Sequence, residues 1–205
     1  GPIGVAAHLV PFLPTHLNLA TYNEKLGAVS AAPFGSAQIL TISYAYIKML
    51  GGEGLREATK MAILNASYLK DRLKDYYPIL YTGNNGHVAH EMILDINGIN
   101  KATGVAAIDI AKRLMDYGFH APTVAFPVHE TLMVEPTESE PLAELDRFVD
   151  AMIKIRQEIA DIESGKAEKG NNLISHAPYT AEMLMADNWE FPFTRQEAGF
   201  PNKSD

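Results

Sequence analysis

The most regular hydrophobic pattern in the chain lies between residues 142 and 162, where apolar side chains recur every three or four positions. This spacing puts them on one face of an α-helix, because a helix turns once every 3.6 residues. Pro141 near the start and Gly165 after the end are typical helix boundary residues. The pattern predicts one long amphipathic helix whose apolar stripe consists of Leu142, Leu145, Phe148, Met152, Ile155, Ile159 and Ile162.

Two earlier segments also have helical patterns. Residues 36–49 contain no helix breaker, and the glycine pair Gly51 and Gly52 is expected to end this helix. Residues 54–76 carry apolar side chains at intervals of three and four. Pro78 is expected to end this second helix, because proline cannot continue the helical hydrogen bonding. The two segments predict consecutive helices separated by a glycine break.

A shorter helical pattern follows Thr103, whose hydroxyl oxygen is expected to cap the N-terminus of the helix. Gly118 is expected to close this helix, because glycine readily adopts the left-handed backbone conformation found after many helix ends. The apolar positions of the predicted helix are Ile108, Ala111, Leu114 and Met115.

Short segments with a β pattern lie between these helices. Residues 79–82 and 87–96 flank the turn sequence Gly-Asn-Asn-Gly and predict two paired strands. The second segment is predicted to place His90 and Glu91 on opposite faces of its strand. A third strand is predicted at residues 131–135. Few strands separated by long helices predict an α+β fold, with a small sheet covered on one side by helices.

The bulk composition excludes several classes of protein. The 205 residues are 47% hydrophobic and 20% charged, which is typical of a globular chain able to bury a core. A formal net charge of −8, without a run of Lys or Arg, argues against a nucleic-acid partner. The absence of cysteine excludes disulfides, thiolate metal sites and a cysteine nucleophile. The longest apolar run, residues 3–14, is too short to span a bilayer, so no membrane association is expected.

The segment His87-Val-Ala-His-Glu91 superficially resembles a zinc motif. Zinc motifs of this kind place their ligands on one face of a helix, whereas residues three apart in a strand point to opposite sides. We therefore expect no metal site. His90 and Glu91 are expected either to be hydrogen-bonded within the sheet or to lie near a ligand.

Two serines lie in glycine-rich backbone, but neither Ser30 nor Ser36 has the nucleophile motif Gly-x-Ser-x-Gly. The favoured interpretation of Ser36 is a helix N-cap. The same geometry could present backbone N–H groups to a phosphate. The acidic string at residues 135–140 is expected to stabilise the N-terminus of the helix that follows it through the helix dipole.

Longer strings are more specific than these patterns. Several of them, in the same order, resemble the P-protein of the glycine cleavage system, the decarboxylating glycine dehydrogenase family, and the resemblance covers the whole chain. The strings are residues 1–14 (GPIGVAAHLVPFLP), 27–36 (GAVSAAPFGS), 117–123 (YGFHAPT), 132–140 (LMVEPTESE), 144–148 (ELDRF) and 155–163 (IRQEIADIE).

The resemblance implies a fold-type-I enzyme that uses pyridoxal 5'-phosphate. In that family the Schiff-base lysine lies immediately before the Gly-Pro-Ile-Gly segment, and this chain begins with that segment. No catalytic residue is therefore expected in this chain. Ser30 and Ser36 are the candidates for contacting the cofactor phosphate. His8, His90 and Glu91 are the candidates for lining the substrate pocket.

The resemblance also implies a domain organisation. Residues 1–50 would be a segment of the large cofactor-binding domain followed by a linking helix. Residues 51–165 would form the small C-terminal α+β domain. Residues 166–205 would be an extension rich in aromatic residues and containing proline, which is expected to pack over the body of the protein or over a partner. The start of the chain is expected to result from cleavage or from design, since it lacks an initiator Met.

The implied activity is decarboxylation of glycine, with transfer of the aminomethyl group to the lipoyl group of the H-protein. The implied partners are glycine, the H-protein, the rest of the P-protein and a second copy of the parent, in the cytoplasm of a bacterium. The chain alone is expected to be inactive.

Two alternatives remain. The chain could be a non-catalytic domain or subunit that serves association. A different fold-type-I enzyme, such as an aminotransferase, would need a carboxylate-binding arginine on a strand or loop. Arg113, Arg147 and Arg156 all lie in predicted helices.

Overall fold

The computed structural model describes residues 3–17 and 26–202, and the chain divides into two units. Unit 1 is Gly1–Leu55 and unit 2 is Arg56–Asp205. The predicted domain boundaries at residues 50 and 165 stay predictions.

Unit 1 contains short helical turns joined by glycine-rich backbone. Two 3-10 helices span Ala7–Phe12 and Ala37–Ile39, and none of their residues is buried. The Thr15 amide donates a hydrogen bond to the carbonyl oxygen of Gly27 at 2.9 Å. This bond connects the first described segment of the unit to the glycine-rich loop that follows the gap.

Helix α1 spans Leu40–Leu73 and is broken at Gly51, whose backbone has φ 61° and ψ −177°. The positive φ suits glycine, which has no side chain to clash with the backbone. The predicted glycine break between two helices is confirmed. In the part of α1 that belongs to unit 2, Leu69 and Leu73 are buried in the main core.

The sheet has three antiparallel strands in the order β1-β3-β2. Strand β1 is Met92–Asp95, β2 is Thr123–Val124 and β3 is Thr131–Val134. Met92 pairs with Val134 at the edge where β1 begins and β3 ends. The predicted α+β class is confirmed, and so is the predicted third strand.

The predicted pairing of residues 79–82 with residues 87–96 is wrong in extent. The first segment contributes only an isolated antiparallel bridge, between Ile79 and Leu94. Strand β1 instead pairs along its whole length with β3, because Leu94 and its partner Leu132 then both enter the main core. Buried and exposed residues do not alternate along β1, since three successive residues are buried: Met92, Ile93 and Leu94.

Two short helices follow β1. Helix α2 spans Asn97–Thr103 and was not predicted, whereas α3 spans Ala107–Asp116 close to its predicted position. Thr103 is the last residue of α2, so its predicted role as the N-cap of α3 is wrong. Its hydroxyl donates to the Ile99 carbonyl at 2.7 Å and accepts from the Val105 amide at 3.1 Å.

Helix α4 spans Leu142–Glu163 and confirms the strongest sequence prediction. All but one of the apolar stripe residues are buried, the exception being Leu142 near the helix start. Tyr77 is fully buried against this helix and donates a hydrogen bond to the Met152 carbonyl at 2.9 Å. The core of unit 2 therefore lies between α4, the sheet and the buried faces of α1 and α3.

Residues 166–202 of the C-terminal extension pack on the rest of unit 2, for example through hydrogen bonds of Ala198 and Tyr179 to α3. The extension contains two short helices, α5 (Ala181–Met185) and α6 (Arg195–Gly199), and a small buried cluster centred on Tyr179. Aromatic rings around this cluster contact one another in tilted, edge-to-face or stacked arrangements: His176, Tyr179, Trp189, Phe191 and Phe193. Over residues 3–17 and 26–202, no helix has both the length and the apolar content that crossing a bilayer requires.

Candidate functional site

Three polar side chains meet at the edge of the sheet where β1 begins and β3 ends. His90 Nε2 lies 3.6 Å from Glu91 Oε2 and 4.0 Å from Glu135 Oε1. Glu91 immediately precedes β1 and Glu135 immediately follows β3. Because Met92 pairs with Val134, the two carboxylates lie next to each other at adjacent strand ends. Like charges in such positions repel each other, and the His90 imidazole lies within 4.0 Å of both carboxylates.

The prediction that His90 and Glu91 point away from each other across a strand is wrong, because both residues precede β1 and their side chains converge. Sequence reasoning did not select Glu135 for this site. The acidic string that contains it was assigned to the helix dipole of α4. Only the long-range pairing of β1 with β3 shows that Glu135 belongs beside His90.

A cavity of about 400 Å³ lies next to this cluster, a size suited to a small ligand or to a side chain of a partner. Glu91 and His87 give it a polar side. Its apolar side includes Val88, Ile93 and Phe126. Glu91 thus belongs both to the cluster of polar side chains and to the cavity wall.

A second cavity of about 410 Å³ has Glu135 on its rim, together with Glu140 and Glu144. Its floor is apolar and includes Leu145 and Phe148. Hydrogen bonds from Arg147 hold the pKa of the Glu144 carboxyl below its usual range. The Arg147 guanidinium also lies over the ring of Phe119, with 3.7 Å between the guanidinium carbon and the ring centre.

The loop 125–130, which joins β2 to β3, borders the first cavity. Its two end residues, Ala125 and Glu130, have φ values of 58° and 54°, which non-glycine residues rarely adopt. The Glu130 carboxylate accepts a hydrogen bond from the Ala107 amide at the start of α3, at 2.8 Å. This loop was not predicted, because neither residue with positive φ is a glycine.

The other candidates lie in unit 1. Ser30 Oγ donates to the Ala32 carbonyl at 2.8 Å, and Ser36 stands at the N-cap position of the second 3-10 helix without a side-chain capping bond. The favoured interpretation of Ser36 as a side-chain N-cap is therefore wrong. His8 is exposed on the first 3-10 helix. Unit 1 thus holds His8, Ser30 and Ser36, whereas His90 and Glu91 belong to unit 2.

The arginines are engaged within the chain. Arg113 lies in α3 and Arg147 and Arg156 lie in α4, as predicted. Each forms an ion pair with a carboxylate of its own unit, namely Glu158, Glu144 and Glu163, respectively. Within residues 3–17 and 26–202, no group of three or more His, Cys, Asp or Glu side chains is placed to hold a metal ion. The expectation of no metal site stays a prediction.

Comparison with known proteins gives one family. The family model described as "Glycine dehydrogenase, C-terminal domain" matches residues 58–179, which is more than half of the chain. That range contains the sheet, helices α2 to α4, the cluster around His90 and both cavities.

Relatives of the chain have the same name. Proteins named "Glycine dehydrogenase (decarboxylating)" from Nostoc punctiforme and Dechloromonas aromatica are 57% identical over 205 residues and 58% identical over 206 residues, respectively. A mitochondrial protein of that name from Pisum sativum is 54% identical over 208 residues. Each match covers 98% of this chain but only 20–21% of the relative. The chain therefore spans about one fifth of the length of these curated relatives.

Proposed function

The chain belongs to the glycine dehydrogenase (decarboxylating) family, and from that premise we propose that it acts as the C-terminal part of an enzyme that decarboxylates glycine. The identity of 54–58% over 98% of the chain carries this proposal. The complete enzyme would pass the aminomethyl group of glycine to the lipoyl group of the H-protein. We expect the chain alone not to release CO2, because the family resemblance places the cofactor lysine before the Gly-Pro-Ile-Gly segment.

Pyridoxal 5'-phosphate, when bound, supplies the electron sink for loss of the carboxyl group. Hydroxyl and backbone N–H groups are suitable phosphate donors, and both occur in the loop from Gly27 to Ser36. The Ser36 side chain forms no capping bond with the helix that follows it, and the Ser30 hydroxyl donates to the Ala32 carbonyl within its own loop. These observations fit a role of the loop as part of a phosphate-binding wall. The catalytic lysine would come from the rest of the parent protein.

The substrate side would be formed by His90 and Glu91, with Glu135 as a third member. His90 Nε2 lies 3.6 Å from a Glu91 oxygen and 4.0 Å from a Glu135 oxygen, so the three side chains could act together on one small ligand. The cluster would therefore place candidate general acid and base groups near the glycine site. His8, which belongs to unit 1, stays a separate candidate for contacting substrate.

Unit 1 would pack on the large cofactor-binding domain of the parent. Many apolar side chains in its part of α1 are exposed, and a helix that is apolar on most sides is normally buried. These residues are Leu40, Ile42, Tyr44, Tyr46, Ile47 and Met49. The parent would be a homodimer located in the cytoplasm of a bacterium, although the name of the pea relative assigns that relative to mitochondria.

Mixing experiments test the proposal. The chain would be combined with the remaining four-fifths of the Nostoc punctiforme relative, pyridoxal 5'-phosphate, lipoylated H-protein and glycine labelled at its carboxyl carbon. We expect labelled CO2 from the mixture and none from either part alone. Release of CO2 from the chain alone would contradict the missing-lysine argument, and no release from a mixture that binds would contradict the proposed activity.

Variants test the site. Glu91→Gln and Glu135→Gln are each expected to lower the rate of CO2 release by about tenfold or more, as loss of a proton-handling group does, without weakening association of the two parts. Glu182→Gln, on the exposed surface of α5, is the matched control and should leave the rate unchanged. Equal rates of CO2 release for all three variants would show that the cluster is not part of the active site.

A further inference from the structure

The loop 125–130 displays apolar side chains to solvent. Phe126 is 58% exposed, and Val128 in the same loop is exposed as well. Tyr81, which is 55% exposed, lines the same cavity as Phe126. Two separate segments of unit 2 therefore present apolar surface around one concave site.

Hydrogen bonds from several directions fix this loop. The buried Thr131 hydroxyl contacts the carbonyl oxygens of Phe126 at 3.4 Å and Val128 at 2.5 Å. The Ala125 amide donates to the Thr131 carbonyl at 2.9 Å. At the other end of the loop, the carbonyl oxygen of Glu130 accepts from the Ile96 amide, also at 2.9 Å.

Neighbouring side chains fix the loop further. Asn97 Nδ2 lies 3.3 Å from the carbonyl oxygen of His129, and the Glu130 carboxylate binds the first amide of α3. The positive φ values of Ala125 and Glu130 persist because these contacts hold the backbone in place. The exposure of Phe126 is therefore a fixed property of the fold. A rigid apolar projection of this kind loses little conformational entropy on binding, and exposed apolar patches beside a cavity mark interaction sites.

We propose that loop 125–130 and Tyr81 form the surface by which unit 2 docks on the remaining four-fifths of the parent protein. This inference rests on the proposed function. The length of the relatives indicates what would bind to this surface. They are about five times as long as this chain, so most of the proposed parent protein lies outside it. The cavity is lined by Phe126, Val88 and Glu91. We therefore expect the docked part to insert an apolar side chain into it, next to a hydrogen-bond donor that can reach the Glu91 carboxylate. The docked part would also close the cavity beside the cluster of His90, Glu91 and Glu135.

The experiment measures association of the chain with the remaining four-fifths of the Nostoc punctiforme relative by titration calorimetry. Phe126→Ser and Tyr81→Ser should each raise the dissociation constant by about tenfold to a hundredfold, which is the loss expected for one aromatic side chain that is only partly buried on binding. Met185→Ser is the matched control, because Met185 is 81% exposed on α5 and lies away from the cavity lining.

Several results would overturn the inference. Unchanged dissociation constants for both variants would do so, and so would failure of the wild-type chain to bind the remaining part. If sedimentation shows that the chain alone forms dimers that Phe126→Ser dissociates, the occupant is a second copy instead. Urea unfolding would verify that the variants fold, and Tyr81→Ser decides the matter if Phe126→Ser disturbs its loop. Wild-type binding without CO2 release would refute the proposed activity and leave docking to be judged by the variants.

Discussion

The guanidinium of Arg113 forms a two-pronged ion pair with Glu158, with Nη2 2.7 Å from Oε1 and Nε 3.0 Å from Oε2. Arg113 is fully buried, and its remaining N–H groups donate to Asp116 and to the carbonyl oxygens of Glu197 and Ala198. Burial alone would lower the pKa of Arg113, but the hydrogen bonds and charges of its partners, chiefly Glu158, together raise that pKa above the ordinary value. One side chain thus joins α3, α4 and the C-terminal extension.

Replacing Arg113 with Met should destabilise the chain strongly. The change leaves the Glu158 and Asp116 carboxylates without their buried partner, and breaking such a pair costs about 3–5 kcal/mol. Urea unfolding would measure the loss. Proteolysis should also cut the extension after residue 165 faster, because α6 loses its bonds to α3.

Arg156→Met is the matched control for this prediction. Arg156 forms a comparable two-pronged pair with Glu163 on the same helix as Glu158, but that pair is partly exposed to solvent. Partly exposed pairs contribute at most about 1 kcal/mol. Equal losses in the two variants would show that burial of Arg113 does not set its importance.

Two substitutions of Glu130 separate the energetic cost of its strained backbone from that of losing its hydrogen bond to the start of α3. Glu130→Ala should cost about 1 kcal/mol, because the α3 amide at Ala107 loses its acceptor. Glu130→Gly loses the same bond but relieves the positive φ of 54°, so it should be about 1 kcal/mol more stable than Glu130→Ala. Thermal unfolding of both variants would measure this difference.

The same pair of substitutions at Glu138 provides the control. Glu138 does not belong to the described non-glycine residues with positive φ. Glycine should therefore be no better than alanine there. An advantage of glycine at both positions would indicate an effect on the unfolded chain instead of relief of strain at Glu130.

Glu144→Gln should change stability in a pH-dependent way. The Arg147 hydrogen bonds lower the pKa of Glu144 in the folded state below the ordinary value of 4.5. The stabilisation is therefore present above that ordinary value and is lost as the pH falls through the lowered folded-state pKa. At pH 7 the variant should be less stable than the wild type by at most about 1 kcal/mol, since the pair is partly exposed.

Urea unfolding at a series of pH values measures the effect. The difference between wild type and Glu144→Gln should shrink below pH 4.5, where the wild-type carboxyl becomes protonated. High salt at pH 7 should also reduce the difference, because salt screens exposed ion pairs. A difference that is independent of pH would show that Glu144 acts through packing alone.

Replacing glycine with alanine should have opposite effects on the stability of the chain at two positions. A Cβ atom on Gly199 would lie 2.4 Å from Leu184 Cδ1, so Gly199→Ala should force α5 and α6 apart and cost about 1–3 kcal/mol. Gly98, near the start of α2, has open space around its would-be Cβ. Gly98→Ala should therefore stabilise the chain by up to about 1 kcal/mol. Melting temperatures would check both signs, and a stabilised Gly199→Ala would show that Leu184 moves aside easily.

The sequence determined the features that depend on neighbouring residues. The stripe from Leu142 to Ile162 specified α4, because its 3.6-residue period is written directly in the order of side chains. Gly51 marked the break in α1, because the break depends on the backbone conformation of that one residue, and glycine readily adopts a positive φ. The strings shared with the P-protein indicated the family, which the comparisons confirm. Among the site residues, His90 and Glu91 could be selected because they are adjacent polar residues in an apolar segment.

The tertiary structure decided what depends on residues distant in sequence. The hydrophobic pattern cannot choose between Ile79 and Leu132 as the main partner of Leu94, because both are apolar and the outcome depends on which pairing fills the core. That choice alone places Glu135 beside His90. The burial of Arg113 likewise depends on an extension more than eighty residues away in the chain. Local periodicity records which side of a helix is apolar, but only the packed chain determines what lies against it.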